Sequence, residues 1–223
     1  MTQFKLISLA NYLPIETLRD IFKRSSQDTK KKILIEECFL CKITGKPLNS
    51  PFLYKQTFKR NLNTFEPGWS LNKAETITTV SKEAQNKHIN SSFLNHEHYV
   101  ENLSLKYLIE NLDHFLESLE KEGTPFTWLS QHLTCLFTQE CFKDPIIPET
   151  KTPSISYEKD AFKSYFDNAP KEDPLRNQLI FSVDPVSQHG TITMYSNQNL
   201  WVFLCFIQDL YPEEYKNYQD QLK

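Results

Sequence analysis

The sequence predicts an α+β fold, in which short strands lead into amphipathic helices. Three observations carry this reading. Ile146 and Ile147, and then Ile155 and Tyr157 alternating with Ser154 and Ser156, have strand character and are set apart by Pro145, Pro148 and Pro153. Asp160, Phe162, Tyr165 and Phe166 follow at helical spacing, while Leu105, Leu108, Ile109, Leu112, Phe115, Leu116 and Leu119 keep a longer helical stripe. With 39% hydrophobic residues, 16 Phe and 10 Tyr in 223 residues, the chain has enough apolar surface for true cores.

The first element is a helix. Leu13-Pro-Ile-Glu-Thr-Leu-Arg-Asp-Ile-Phe22 puts Pro14 in a first helical turn and Ile15, Leu18, Ile21 and Phe22 on one face. The pattern also resembles the start of an F-box, although Arg24, Ser25, Ser26 and Thr29 stand where that family has apolar residues. Ser25–Lys32 is polar and basic and reads as a linker. The long stripe ends at Gly123, a natural C′ residue, with Pro125 behind it. Pro145 has a fixed φ and no backbone donor, so the chain turns there before Ile146 and Ile147 resume a strand. Thr191–Tyr195 adds one more strand. Leu200–Ile207 is apolar nearly all round, which predicts a helix buried on more than one side, either against the rest of the chain or in a homodimer or substrate interface. Glu213–Lys223 is polar and reads as a fraying tail.

Cys135-Leu-Phe-Thr138, Glu140, Asp144-Pro-Ile146, Tyr157-Glu-Lys159 and Phe162-Lys-Ser-Tyr165 together resemble the U-box family of ubiquitin ligases. That family runs Cys-Pro-Ile-Thr, Glu, Asp-Pro-Val, Tyr-Asp-Arg and Ile-x-x-Trp in the same order. Asp173-Pro174-Leu-Arg-Asn-Gln is similar to its second loop, and Asn197-Gln-Asn-Leu200 to the opening of its last helix. Upstream, a more divergent stretch resembles the same pattern. Cys41, Ile43-Thr44 and Pro51-Phe52 stand on the opening, and Asn102-Leu-Ser-Leu-Lys106 on the last helix. Between them Phe58-Lys-Arg60 and Pro67-Gly-Trp-Ser are poor copies, and Leu71–Ser92 is a polar insertion.

The resemblance implies two small U-box units, RING-like but metal-free. Each is a short antiparallel sheet with a central helix and a C-terminal helix, and an N-terminal helix precedes both. Residues 1–32 form the helical segment and linker, 33–122 the degenerate unit, 126–212 the U-box and 213–223 the tail. The implied function is an E3 ubiquitin ligase, which binds a conjugating enzyme charged with ubiquitin and promotes transfer to a lysine of an unidentified protein substrate. No covalent intermediate forms on such a ligase; it works by positioning. Phe137, Tyr165 and Pro174 take the conjugating-enzyme positions, and Arg176 or Asn177 the position that steadies ubiquitin. Ile43 and Pro51 keep the opening of the first unit, as a secondary contact for conjugating enzyme or substrate. Two alternatives stay open: Ile43 as the working contact, and Phe137 as a core residue.

Other functions fit less well. A net charge of −3, a pI near 6.1 and the lack of a basic stripe argue against nucleic acid. Only 4 Gly argues against phosphate-cradling loops, and the longest apolar run is too short to span a membrane. Five Cys in an odd set fit reduced thiols. Cys38-x-x-Cys41 is half of a zinc site that only the distant His96-x-His98 would complete, so a buried Cys pair is the simpler reading. No nucleophile with its base, and hence no catalytic residue or cofactor, is nominated. A composition rich in Lys, Asn, Ile and Phe, with no N-terminal signal peptide, points to a bacterial effector secreted into the host cytoplasm. The competing readings are a non-catalytic U-box-like or F-box-like adaptor, and a metal-binding domain on Cys38 and Cys41.

Overall fold

The computed structural model describes residues 13–41, 44–57, 75–81, 98–148, 155–168, 181–183, 190–192 and 194–222. Helices and short antiparallel sheets make it an α+β fold.

Helix α1 (Ile15–Arg24) buries Leu18 and Phe22, with Glu16 in its first turn and Lys23 and Arg24 in its last, as the helix dipole favours. Helix α2 (Gln27–Cys38) replaces the expected linker. Ser26 caps it by accepting from the Thr29 amide, and Ile33, Leu34 and Cys38 are buried. Lys30 is only 7% exposed: its stem packs inward while Nζ reaches Glu120 at 3.6 Å. A basic residue therefore helps to cover the core.

One local plan then occurs twice. The Cys41 amide donates to Lys46 O at 2.8 Å and the Gly45 amide to Cys41 O at 2.8 Å; the Cys135 amide donates to Glu140 O at 2.9 Å and the Gln139 amide to Cys135 O at 2.9 Å. Gly45 and Gln139 occupy the same left-handed position, at φ 65° and 58°. Strand β1 (Pro51–Thr57) lies between β2 (Glu75–Ser81) and β3 (His98–Glu101), just as β4 (Pro145–Pro148) lies between β5 (Tyr157–Glu158) and β8 (Met194–Ser196). Even the register agrees. Pro51 faces Ser81 as Pro145 faces Glu158, and Phe52 faces Glu101 as Ile146 faces Ser196. The carbonyls of Pro51 and Pro145 then accept from the amides of Asn102 and Asn197, at 2.9 and 2.8 Å. Each Asn caps a helix: α3 (Leu103–Glu110) in the first repeat and α7 (Gln198–Leu210) in the second.

The long leucine stripe is divided at Asn111 into α3 and α4 (Leu112–Glu122), with Leu105, Leu108, Leu112, Phe115, Leu116 and Leu119 all buried. Gly123 ends α4 at φ 71°. A short helix, α5 (Phe126–His132), leads into the second repeat, and α6 (Lys159–Asn168) follows β5. Strands β6 (Phe181–Val183) and β7 (Gly190–Ile192) form a separate ribbon. Helix α7 is central: it packs against α1, α2, α3, β4 and the last helix, α8 (Pro212–Gln221). It buries Leu200, Phe203, Leu204, Phe206, Ile207 and Leu210, while Val202 is half-buried and Trp201 is 44% exposed, so of the further apolar face only Phe206 is covered within the chain. The expected frayed tail is helix α8, anchored by Tyr215 and Tyr218 rings 5.2 and 5.6 Å from Phe126. One continuous core joins both repeats.

Candidate functional site

The turn at Cys135–Cys141 is held from inside. Cys135 is buried, and its Sγ accepts from the amides of Phe137 at 3.4 Å and Glu158 at 3.2 Å. Gln139 takes the left-handed φ that closes the turn, and its Nε2 donates to Leu136 O at 2.8 Å. These constraints hold Leu136 outward, 44% exposed, and leave Phe137 half-buried.

Helix α6 begins immediately after β5, which places Phe162 inward and Tyr165 one turn further along. Phe137 stacks on Tyr165, with centroids 4.8 Å apart and planes at 29°. Beneath them lie Tyr157 and Phe162, both fully buried, at 5.5 and 6.4 Å from the Phe137 ring. Phe137 therefore covers part of the core and stacks on the half-buried Tyr165 at the same time.

Polar cross-links fix the loop to the hairpin. The Glu158 carboxylate accepts from the amides of Lys143 at 2.8 Å and Asp144 at 3.1 and 3.2 Å. Lys159 Nζ meets Asp144 Oδ2 at 2.8 Å, and this hydrogen bond raises the Lys159 pKa. The ion pair is exposed and worth little alone, whereas a carboxylate on two backbone donors restrains the chain itself.

The first repeat uses the same device, with the amides of Thr44 and Ser81 donating to Cys41 Sγ at 3.4 and 3.3 Å. Pro51 is buried at the head of β1 and shapes the turn from within. Ile43, Pro174, Arg176 and Asn177 lie outside the described residues, as do His96 and the Phe58–Arg60 stretch. The structure thus brings together Phe137 and Tyr165 of the expected set.

Three of the thiols are shifted toward the protonated form. Burial pushes Cys38 well above its ordinary range and Cys141 up to about 12, and desolvation also raises Cys205. Thiols so shifted stay protonated at neutral pH. Among the described residues no group of three or more His, Cys, Asp or Glu is placed to hold a metal, and no helix is long and apolar enough to cross a membrane.

No family model, curated protein or solved structure matches the chain. The site is defined by its own geometry.

Two features escaped the sequence. One is the pairing of Asn102 with Asn197, which ties the helix caps of the two repeats together; the resemblance put each at the opening of a helix, but nothing in the sequence pairs them. The other is the Tyr218 hydroxyl, which accepts from the Cys141 amide at 3.4 Å and draws α8 onto the turn. The sequence carried no signal for that contact beyond two Tyr in a polar tail.

Proposed function

We propose that this chain is an E3 ubiquitin ligase of U-box type, with the second repeat as the platform for the conjugating enzyme. The observation that carries this reading is the half-buried Phe137 stacked on Tyr165, presented by a loop that backbone amides, the Glu158 carboxylate and the Cys135 thiol hold in place. Exposed apolar pairs on a rigid loop and helix make effective contacts for a partner protein. By the resemblance, Pro174 is the further conjugating-enzyme contact, Arg176 or Asn177 steadies the bound ubiquitin, and Ile43 and Pro51 are the secondary contact for conjugating enzyme or substrate.

In this mechanism the chain bonds to nothing. The substrate amine attacks the thioester carbonyl, the new C–N bond forms and the C–S bond breaks. The sulfur leaves on the conjugating enzyme, and the amine gives up its proton. The ligase contributes by holding the charged enzyme and ubiquitin in a reactive pose. The setting that suits such a chain is the host cytoplasm, entered as a secreted effector. An F-box use of α1 is not favoured, because Leu18 and Phe22 are buried in the chain's own core.

A discharge assay tests the proposal. Conjugating enzymes charged with ubiquitin are mixed with free lysine, with and without the protein. Faster discharge from at least one enzyme of a panel is expected. No acceleration with any of them would leave a non-catalytic adaptor as the reading.

A further inference from the structure

We propose that a groove between the two repeats binds an extended segment of a protein substrate, carrying a lysine or arginine beside an aliphatic residue. This deepens the ligase reading and rests on it. The groove has a volume of ≈ 470 Å³ and lies between α3 and the turn at Thr134–Leu136, with Ile155 and Ser156 beyond. It shares no residue with the Phe137–Tyr165 pair. Its floor is apolar, with Leu133 and Phe142 buried, while Tyr107 and Leu136 at the rim remain 40% and 44% exposed. Large apolar side chains left open along one groove mark a contact surface.

Charge decides the occupant. Of the two charged groups that α3 contributes to the groove, Lys106 is held by Glu101 at 2.8 Å. The Glu110 carboxylate, one turn on, makes no ion pair among the described residues but adds its charge to that of Glu101 around Lys106, so the two carboxylates outnumber the one cation there. Glu110 lies on the same helix face as Tyr107. Tyr107 stacks on His132 at 6.5 Å, and His132 on Trp128 at 4.6 Å, so the ring is backed by an aromatic column. A carboxylate beside an open aromatic ring is a receptor for an ammonium or guanidinium group. The apolar rim toward Leu136 then takes an aliphatic side chain of the same segment.

The groove needs both repeats, since α3 comes from the first and the turn from the second. Leu136 on its rim is next in the chain to Phe137. A segment held there lies beside the bound conjugating enzyme, where its lysines meet the thioester. The divergent first repeat thereby has a role in substrate capture.

Fluorescence anisotropy of the full chain with a labelled peptide of alternating leucine and arginine tests this, against the same peptide with glutamate for arginine. The arginine peptide is expected to bind, and the glutamate peptide to bind about tenfold more weakly or not at all. Glu110→Lys and Tyr107→Ala should each weaken the arginine peptide about fivefold or more while discharge onto free lysine stays unchanged. Glu110 is exposed, so its variant keeps the test valid if Tyr107→Ala unfolds. Equal binding of both peptides, no binding of either, or no effect of Glu110→Lys would overturn the proposal. Peptide binding by a chain that fails to accelerate discharge would instead sink the ligase reading and leave the groove standing.

Discussion

The carboxamides of Asn102 and Asn197 hydrogen-bond each other in both directions at the centre of the molecule. Nδ2 of Asn102 donates to Oδ1 of Asn197 at 2.9 Å, and Nδ2 of Asn197 to Oδ1 of Asn102 at 3.2 Å. Both residues are fully buried, and each also accepts an amide of the helix it caps, Leu105 at 3.1 Å and Leu200 at 3.4 Å. They hold equivalent places in the two repeats, so the contact has the self-complementary form of a dimer interface within one chain. Ser156 Oγ accepts from Asn197 at 2.7 Å, and Ser104 Oγ accepts from the Ser156 amide at 2.7 Å, which extends the network across the junction.

Removal of either carboxamide strands its partner in the core. Asn197→Ala and Asn102→Ala should each cost about 2–4 kcal/mol, combining a lost cap with an unsatisfied buried group. The double variant should cost less than the sum, by about 1 kcal/mol or more. Urea midpoints of the four proteins check this; strict additivity would mean that the pair does not couple the repeats.

Glu158 matters more to the fold than the ion pair beside it. Glu158→Ala frees the amides of Lys143 and Asp144 and should cost about 1–3 kcal/mol. Lys159→Ala removes only an exposed pair and should cost under about 1 kcal/mol. Thermal melts rank the two, and a larger loss for Lys159→Ala would contradict the roles assigned.

Alkaline pH should destabilise the protein. Cys141 and Tyr211 are both pushed up to about 12 by burial, from ordinary values of 9.0 and 10.0, and Cys38 is raised as well. Raised folded values mean that stability is fully present below the unfolded ones and is lost as pH climbs toward the folded ones. The urea midpoint should hold level from pH 7 to about 8.5 and then fall, by up to about 1.4 kcal/mol per pH unit for each group. Cys141→Ala should flatten the fall. A midpoint that rises above pH 9 would contradict the sign.

Helix α8 should behave as part of the fold. Tyr218→Phe removes only a long hydrogen bond to the Cys141 amide and should cost under about 1 kcal/mol. Tyr218→Ala also uncovers Phe126 and should cost about 2 kcal/mol or more. Amide hydrogen exchange reads the same point: protection along Tyr215–Gln219 is expected, and full exchange of that segment would return it to a fraying tail.

Capping and turn chemistry were the most legible parts of the sequence, because they act within a few residues. Gly123 carries its signal locally, Asn102 and Asn197 open their helices where the resemblance puts them, and the Pro145–Pro148 strand stands where its prolines place it. Helix α2 was hidden because its first turns read Gln-Asp-Thr-Lys-Lys-Lys, and only tertiary packing shows Lys30 turned inward. Helix α8 was hidden for a related reason, since two Tyr in a polar run reveal nothing of Phe126 nearby in space. The division at Asn111 escaped because the apolar stripe continues through it. At the site, the meeting of Phe137 and Tyr165 followed from the order of the motif. The Cys135 thiol as acceptor from Glu158 joins residues far apart in sequence, and no local pattern announces such a bond.

Discharge of ubiquitin from a charged conjugating enzyme, compared across Phe137→Ala, Tyr165→Ala, Ile43→Ala and Phe162→Ala, tests the central claim most directly. Phe162 is fully buried, so its variant reports the effect of a damaged core, with an expected loss of about 3–5 kcal/mol. Half-buried Phe137 should cost about 1–2 kcal/mol of stability, yet its loss and that of Tyr165 should abolish accelerated discharge in protein that is still folded. Ile43→Ala should leave most of the activity. Silencing by Ile43→Ala alone, with full activity in the Phe137 and Tyr165 variants, would place the working surface on the first repeat and contradict the assignment.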